Sequence, residues 1–282
     1  MKIGIVGFGT VGKAYARALN MLGFKPLIYD VSKRKMREAE RLGFECKPIE
    51  RLAETCEFTF ICVPTPYYEE HPLALDISAV SKAVRELLSA NPEAKLIIKS
   101  TMPPGGCWRL AMFYGAAEKI VYSPEFLREK TALRDVLYPK RVILAGVKLS
   151  LLDEVELKLY SRWSPTPKIV KTSYEVAELV KLLTNAYLAV KVSFSNLILA
   201  ASRKYGVDAM EVYRILTMDP RIAPSHLKPT GEPFAGKCLP KDTAAMAKAL
   251  RGSDPIAAAA SMLLSSIINF NELIKAESQQ TP

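Results

Sequence analysis

Residues 7–12, Gly-Phe-Gly-Thr-Val-Gly, limit what this chain can fold into more than any other stretch. An apolar β-type run, residues 2–6, precedes them. In the segment that follows, Ala14, Ala18, Leu19 and Leu22 recur at helical spacing. Gly23 stops that helix, and a second strand-like run ends at Asp30. Strand, glycine turn, helix, strand and terminal acid make up the whole context of a dinucleotide-binding fingerprint. Gly7 permits the tight turn, Gly9 lets the backbone approach a pyrophosphate, and Gly12 lets helix pack on strand. Free N–H groups at the helix start suit the phosphate. Asp30 is placed to bond ribose hydroxyls and to repel a 2′-phosphate, which favours NAD over NADP, although Lys33, Arg34 and Lys35 soften that preference. NAD is therefore the cofactor predicted, held by Gly7, Phe8, Gly9, Thr10, Val11, Gly12, Asp30 and Lys35, with Val63, Pro64, Thr65, Thr101 and Glu129 also expected to contact it.

The alternation continues. Residues 57–63, 94–100, 119–122, 141–146 and 168–170 read as further strands, with a helical pattern over 77–89. The fold class expected is α/β, a doubly wound Rossmann-type parallel sheet followed by a long helix and a smaller all-α domain. The domains expected are 1–171, binding NAD, and 172–282. Ligands bind at the carboxyl ends of such strands. Val63, Pro64 and Thr65, then Thr101, then Glu125 and Glu129 fall there. Taken singly, each of these has a surface or capping role as its alternative.

Composition narrows the function. Of 282 residues, 49% are apolar and 24% charged, ordinary for a soluble globular chain. No apolar run is expected to reach membrane-spanning length, and the N-terminus lacks a signal peptide's apolar region, so a cytoplasmic protein without membrane contact is predicted. Two histidines and five scattered cysteines leave no expected metal site and no Ser-His-Asp triad. The net charge of +10 is spread among acidic residues, which reads as a solvated basic surface and not a nucleic-acid interface.

The second half is helical. Thr172 to Glu175 forms a capping-box pattern, and apolar periodicity runs from there to Tyr205, a helix of roughly 45 Å. On it Lys181 and Asn185 share a face among apolar neighbours. They either look outward or aim a cation and an amide together at a developing oxyanion. Further helices start near Asp208 and at Asp254-Pro255. Cys238 stands in a loop of small and rigid residues, Phe234 to Asp242, where a cysteine is either a half-buried turn thiol or a reactive one.

Together these motifs resemble the UDP-glucose/GDP-mannose dehydrogenase family. GFGTVG, FICVPTP, KSTMPPG, SPEFLREKTALRD, EVAELVKLLTNAYLAVKVSFSN, DPRIAPSH and FAGKCLPKD occur in the family's order. The resemblance implies NAD-dependent oxidation of a nucleotide sugar at C6 from alcohol to carboxylate. It gives Cys238 the role of nucleophile, through a thiohemiacetal and then a thioester. Lys181 and Asn185 would steady the oxygen charge, while Asp242 with Thr101 would position the water that takes the alcohol proton. Glu129 would assist thioester hydrolysis, with Glu125 in support. Phe126, Leu127, Arg128, Phe234 and Gly236 would line the substrate alongside Lys181 and Asn185. Arg221 would reach a partner subunit's substrate across a homodimer built on the long helix.

The sequence also departs from the family. Pro233 and Ala235 stand where glycines are usual in the cysteine loop. If those positions need positive φ, proline cannot follow and alanine does so at about 1–2 kcal/mol. Leu197 follows Asn196 where the family commonly has Glu. Family members carry a further α/β domain that closes over the nucleotide, which this chain is expected to lack, as a truncation, as a short form completed by a separate chain, or as a remnant. A UDP-sugar is placed ahead of GDP-mannose on the residues around Asp219 to His226. The alternatives are a non-catalytic NAD or nucleotide-sugar binding subunit and a two-electron β-hydroxyacid-type dehydrogenase, which also pairs a Lys and an Asn four apart.

Overall fold

The computed structural model describes residues 1–252 and 254–280. The first unit is built on β1 (Lys2–Val6), α1 (Thr10–Met21), β2 (Lys25–Tyr29), α2 (Lys33–Arg41), β3 (Glu45–Cys46), α3 (Ile49–Thr55) and β4 (Phe58–Ile61). It continues through α4 (Ser78–Ala90), β5 (Leu96–Ile98), α5 (Gly106–Phe113), β6 (Ile120–Tyr122), α6 (Ala132–Leu137), β7 (Arg141–Ala145), α7 (Leu149–Lys158) and β8 (Lys168–Thr172). The strands form one sheet in the order β3-β2-β1-β4-β5-β6-β7-β8. The order reverses at β1, so the carboxyl ends of β1 and β4 flank the switch point where such sheets bind ligands.

Side-chain alternation sets the two layers. Ile3, Ile5, Phe58, Phe60 and Ile97 face one side, with Tyr15 and Leu19 of α1 and Leu152 of α7. Val6, Ile61, Leu96 and Ile98 face the other, with Val80, Val84 and Leu87 of α4. Burial on both faces is why these strands read as nearly unbroken apolar runs. The expected parallel sheet needs one correction, since β7 pairs antiparallel with β6 at Tyr122 and Ala145. An antiparallel neighbour requires no crossover along the sheet. The connection of residues 123–140 therefore stays at the carboxyl end, where the predicted ligand loops are.

The remaining helices are α8 (Tyr174–Tyr205), α9 (Ala209–Leu216), α10 (Leu239–Ala249) and α11 (Pro255–Gln280). The chain divides into two compact units, Met1–Pro66 with Leu75–Lys181, and Tyr67–Ala74 with the chain from Leu182 onward. The division falls inside α8 and not before it. Tyr174, Ala177 and Glu178 of its first turns are buried, and Tyr174 donates from its hydroxyl to the carbonyl of Ile120 at 2.6 Å. In the second unit α10 packs on α11, and Ser261 donates to the carbonyl of Ala247 at 2.7 Å. The strap Tyr67–Ala74 belongs to this unit as well. Lys248 of α10 donates to the carbonyl oxygens of Glu69 and His71, and Arg251 pairs with Glu69 at 2.5 Å.

Contrary to the expectation from sequence, two helices are long and apolar enough to cross a membrane by length and composition: α8 and residues Pro255–Gln279 of α11. Half of the α8 window is buried against the protein's own residues.

Candidate active site

The glycine turn has the geometry its residues require. Gly7 has φ +95°, and a Cβ on it would stand 2.5 Å from the Cys62 carbonyl oxygen. A Cβ on Gly12 would stand 1.8 Å from the Gly7 oxygen. Gly9 faces open space, with nothing within 4 Å of where a Cβ would be. Room for a pyrophosphate thus lies directly above the N-terminus of α1. The Asp30 carboxylate accepts from the backbone N–H groups of Phe8 at 2.7 Å and Ser32 at 2.8 Å, fixing the acid at the end of β2. Phe8 is fully buried and edge-on to Phe44, and its N–H is taken by Asp30. Lys35 is held by Glu38 at 2.9 Å, and Lys13 closes on the same carboxylate. Those two bonds, Lys13's first, hold the Glu38 carboxyl down at about 2. Open space at Gly9, a fixed acid and free N–H groups fit a dinucleotide.

The other loops of the first unit gather at the same end of the sheet. Val63, Pro64 and Thr65 follow β4, and Thr101 follows β5. Ser100 donates to the carbonyl of Val63 at 2.7 Å and ties these two strand ends together. After β6, Glu125 and Lys181 form a buried pair. The Lys181 ammonium donates to the Glu125 carbonyl at 2.8 Å and lies 3.1 Å from its carboxylate, with the Phe126 ring 5.5 Å away. The same carboxylate accepts from the N–H of Leu127 at 2.7 Å. Lys181 therefore faces inward. Arg128 is spent on Asp135 at 2.6 Å, and Glu129 is exposed.

Two further first-unit residues were not foreseen. Glu178 accepts from the N–H groups of Gly105 at 2.6 Å and Cys107 at 2.7 Å, anchoring the loop that bears Thr101 to α8. Its signal was present: it stands three residues before Lys181, a charge on an apolar helix. Lys99 is buried at the end of β5, donates to the Ser123 hydroxyl at 3.0 Å and stands 4.6 Å from the Tyr15 ring centre.

In the second unit the Asn185 amide donates to the Asp242 carboxylate at 2.5 Å, and Asp242 is wholly buried. Lys241 lies 2.6 Å from the other carboxylate oxygen, off the direction a hydrogen bond needs. Asn185 is one helical turn beyond Lys181 on the continuous α8. Cys238 is exposed and caps α10, so the residue expected in a mobile loop stands at the electropositive start of a helix, one turn before Asp242. The loop's positive φ values fall at Gly231 and Gly236, not at Pro233 or Ala235. The departure from the usual glycine pattern is thereby absorbed without strain at either residue. Phe234 is buried, its N–H and carbonyl both bonded to the Asn271 amide of α11. That burial leaves little of the ring for a substrate. Arg221 is exposed and forks onto Asp219 at 2.5 Å.

Among the described residues no cysteine is in a disulfide, and the five thiols differ sharply. Burial pushes Cys56 up to about 11 and Cys62 up to about 12, and raises Cys46 and Cys107. Those four stay protonated near neutrality. Cys238 alone is exposed.

Comparison with known proteins adds the following. Residues 34–164 match the NAD-binding domain, and residues 175–272 the central domain, of the UDP-glucose/GDP-mannose dehydrogenase family. A UDP-glucose 6-dehydrogenase of Rickettsia bellii (strain RML369-C) is 33% identical over 214 residues, covering 74% of this chain and 48% of its own length. A putative UDP-glucose 6-dehydrogenase, YtcA, of Bacillus subtilis (strain 168) is 30% identical over 272 residues, covering 87% and 62%. The chain thus spans about half to two thirds of the length of these relatives. Among solved structures, a UDP-D-ManNAc dehydrogenase from Pyrococcus horikoshii aligns with a TM-score of 0.81 at 23% identity, over 99% of this chain and 70% of that one. A UDP-glucose dehydrogenase from Pyrobaculum islandicum aligns at 0.78 and 23%, over 96% and 68%.

Proposed function

Because the chain belongs to the UDP-glucose/GDP-mannose dehydrogenase family, with an NAD-binding domain and a central domain, we propose that it oxidises a nucleotide sugar at C6 from alcohol to carboxylate. The glycine turn, with Asp30 and Lys35, would hold NAD, which would supply the hydride acceptor for each of the two oxidations that this change requires. The chain's own residues do the rest. Lys181, with Asn185 one turn along, steadies the negative charge that grows on the C6 oxygen. Asp242, with Thr101, positions a water that takes the alcohol proton. The Cys238 thiolate adds to the aldehyde carbon, giving a thiohemiacetal, and oxidation of that adduct leaves a thioester. Water, assisted by Glu129, cleaves the thioester to the carboxylate and frees the thiol. Glu125 supports this by holding Lys181. Phe126, Leu127 and Arg128 line the sugar nucleotide, with Gly236 leaving room in the cysteine loop.

One observation carries the reading. Cys238 is the exposed thiol, and it stands one helical turn before the buried Asp242 that Asn185 holds. A simple two-electron dehydrogenase has no use for such a thiol. A UDP-sugar is the substrate class favoured, and the reading includes a cytoplasmic homodimer joined along α8, with Arg221 reaching the partner's substrate and a separate chain as a further associate.

The test is the yield of NADH per sugar, with UDP-glucose and GDP-mannose each limiting and NAD in excess. Two per sugar is expected, with turnover falling at least about 100-fold in Cys238→Ser. One per sugar, unchanged by that substitution, would replace the reading with a two-electron dehydrogenase. No NADH from either sugar while NAD still binds would make the chain a binding subunit.

A further inference from the structure

A cleft of about 620 Å³ opens in the first unit beside α1. Lys13 and Arg17 of α1, Lys35 of α2, and Lys130 and Arg134 around the start of α6 line it, against Glu129 as the carboxylate of the lining. The carboxylates near these cations are already committed. Glu38 is shared by Lys13 and Lys35, and Asp135 is taken by Arg128 at 2.6 Å and the Thr131 hydroxyl at 2.9 Å. Arg17, Lys130 and Arg134 have no side-chain hydrogen bond or ion pair among the described residues. Among the described residues, some cations elsewhere on the surface are paired, although others, Arg85 among them, are not. Lys158 sits between Glu57 and Glu154, and Lys171 between Asp153 and Glu156.

Three unanswered cations around one concavity raise its potential, and low-dielectric walls focus that field outward. The walls are also fixed. Helix α6 packs on α1, and Arg128, Thr131 and Asp135 lock the turn that carries Lys130. Guanidinium groups carried on packed helices are suited to the oxygens of a phosphate. The pyrophosphate of a dinucleotide belongs to the N-terminus of α1, beside Thr10. Arg17 lies about 10 Å further along that helix, beyond its reach.

We propose that this cleft is a second anion site, taking a phosphate group beyond the pyrophosphate of the dinucleotide. The phosphate is either carried by the cofactor itself, as the 2′-phosphate of NADP, or belongs to a separate oligophosphate.

Calorimetric titration separates these sources. Tripolyphosphate is titrated into NAD-saturated protein, and NADP and NAD into free protein. Each titration uses wild type, Arg17→Ala/Arg134→Ala, and Arg85→Ala as a control for an exposed cation elsewhere, with circular dichroism to verify folding. Expected is tripolyphosphate binding that weakens about tenfold or more in the double variant and not in the control. NADP binding more tightly than NAD, with the difference abolished in the double variant, would also establish the site and give its phosphate to the cofactor. If neither ligand distinguishes the double variant from Arg85→Ala, the cleft is a solvated basic face and the proposal is wrong. All readouts are of binding, so a failure of the sugar oxidation would leave this result standing.

Discussion

Glu178 holds two backbone donors with one buried carboxylate, and its removal would orphan both. Glu178→Ala is expected to cost about 2–4 kcal/mol, read as a lower urea midpoint. A loss below about 0.5 kcal/mol would mean that water replaces the carboxylate. Lys99 makes a different kind of prediction. Burial pushes its pKa from 10.5 down to about 7, with the charge of Lys181 adding to the fall and Cys62 and Glu125 opposing it. Between those values the unfolded chain binds a proton that the folded chain does not. Stability from this residue therefore rises with pH, by at most about 1.4 kcal/mol per unit, and is flat below about 7. Lys99→Met should remove that rise, and unfolding midpoints of both proteins at pH 7, 8 and 9 would reveal it. Parallel curves would refute the assignment. Lys181, Asn185 and Cys238 could be picked out in the sequence because each is a chemically distinct residue in an apolar or glycine-rich setting. Glu178 left a signal as a charge on an apolar helix, but its partners, the N–H groups of Gly105 and Cys107, lie far away in the chain, and Lys99 left none, because its role rests on burial.

At the level of elements, strands buried on both faces were readable as apolar runs, and α8 as sustained periodicity. β3 was not, since two residues, Glu45 and Cys46, carry no pattern. Nor was α2, where Ala39 is the buried residue of a strongly charged segment that only tertiary contact stabilises. The strap of residues 67–74 escaped notice for a related reason, because it reads as a loop and gains its place from the α10 side chains. Lys248→Ala removes the cation that binds two strap carbonyls. The variant is expected to be cut by protease within residues 67–74 at least about tenfold faster than wild type, since local opening governs such cleavage. Equal rates would show that the strap holds without Lys248. Arg251→Ala should do far less, because its pair with Glu69 is half exposed and such pairs contribute about 1 kcal/mol or below.

For the whole molecule, α8 leaves Leu183, Tyr187, Phe194 and Leu197 exposed along one side at helical spacing. That stripe is the face on which the proposed homodimer would close. Leu183→Glu is expected to raise the dimer dissociation constant about thirtyfold or more by sedimentation, and a monomeric wild type would end the dimer proposal. The chain passes between its two units three times, at residues 66–67, 74–75 and 181–182. The second unit is consequently not one continuous stretch of the gene. A chimera made by a single recombination point in α8 would inherit its strap from one parent and the seat for that strap, Lys248 and Arg251, from the other. Exchanging the unit intact between relatives takes two inserted segments, so the boundaries along which such proteins can be shuffled are set by eight residues far upstream of the helices they serve.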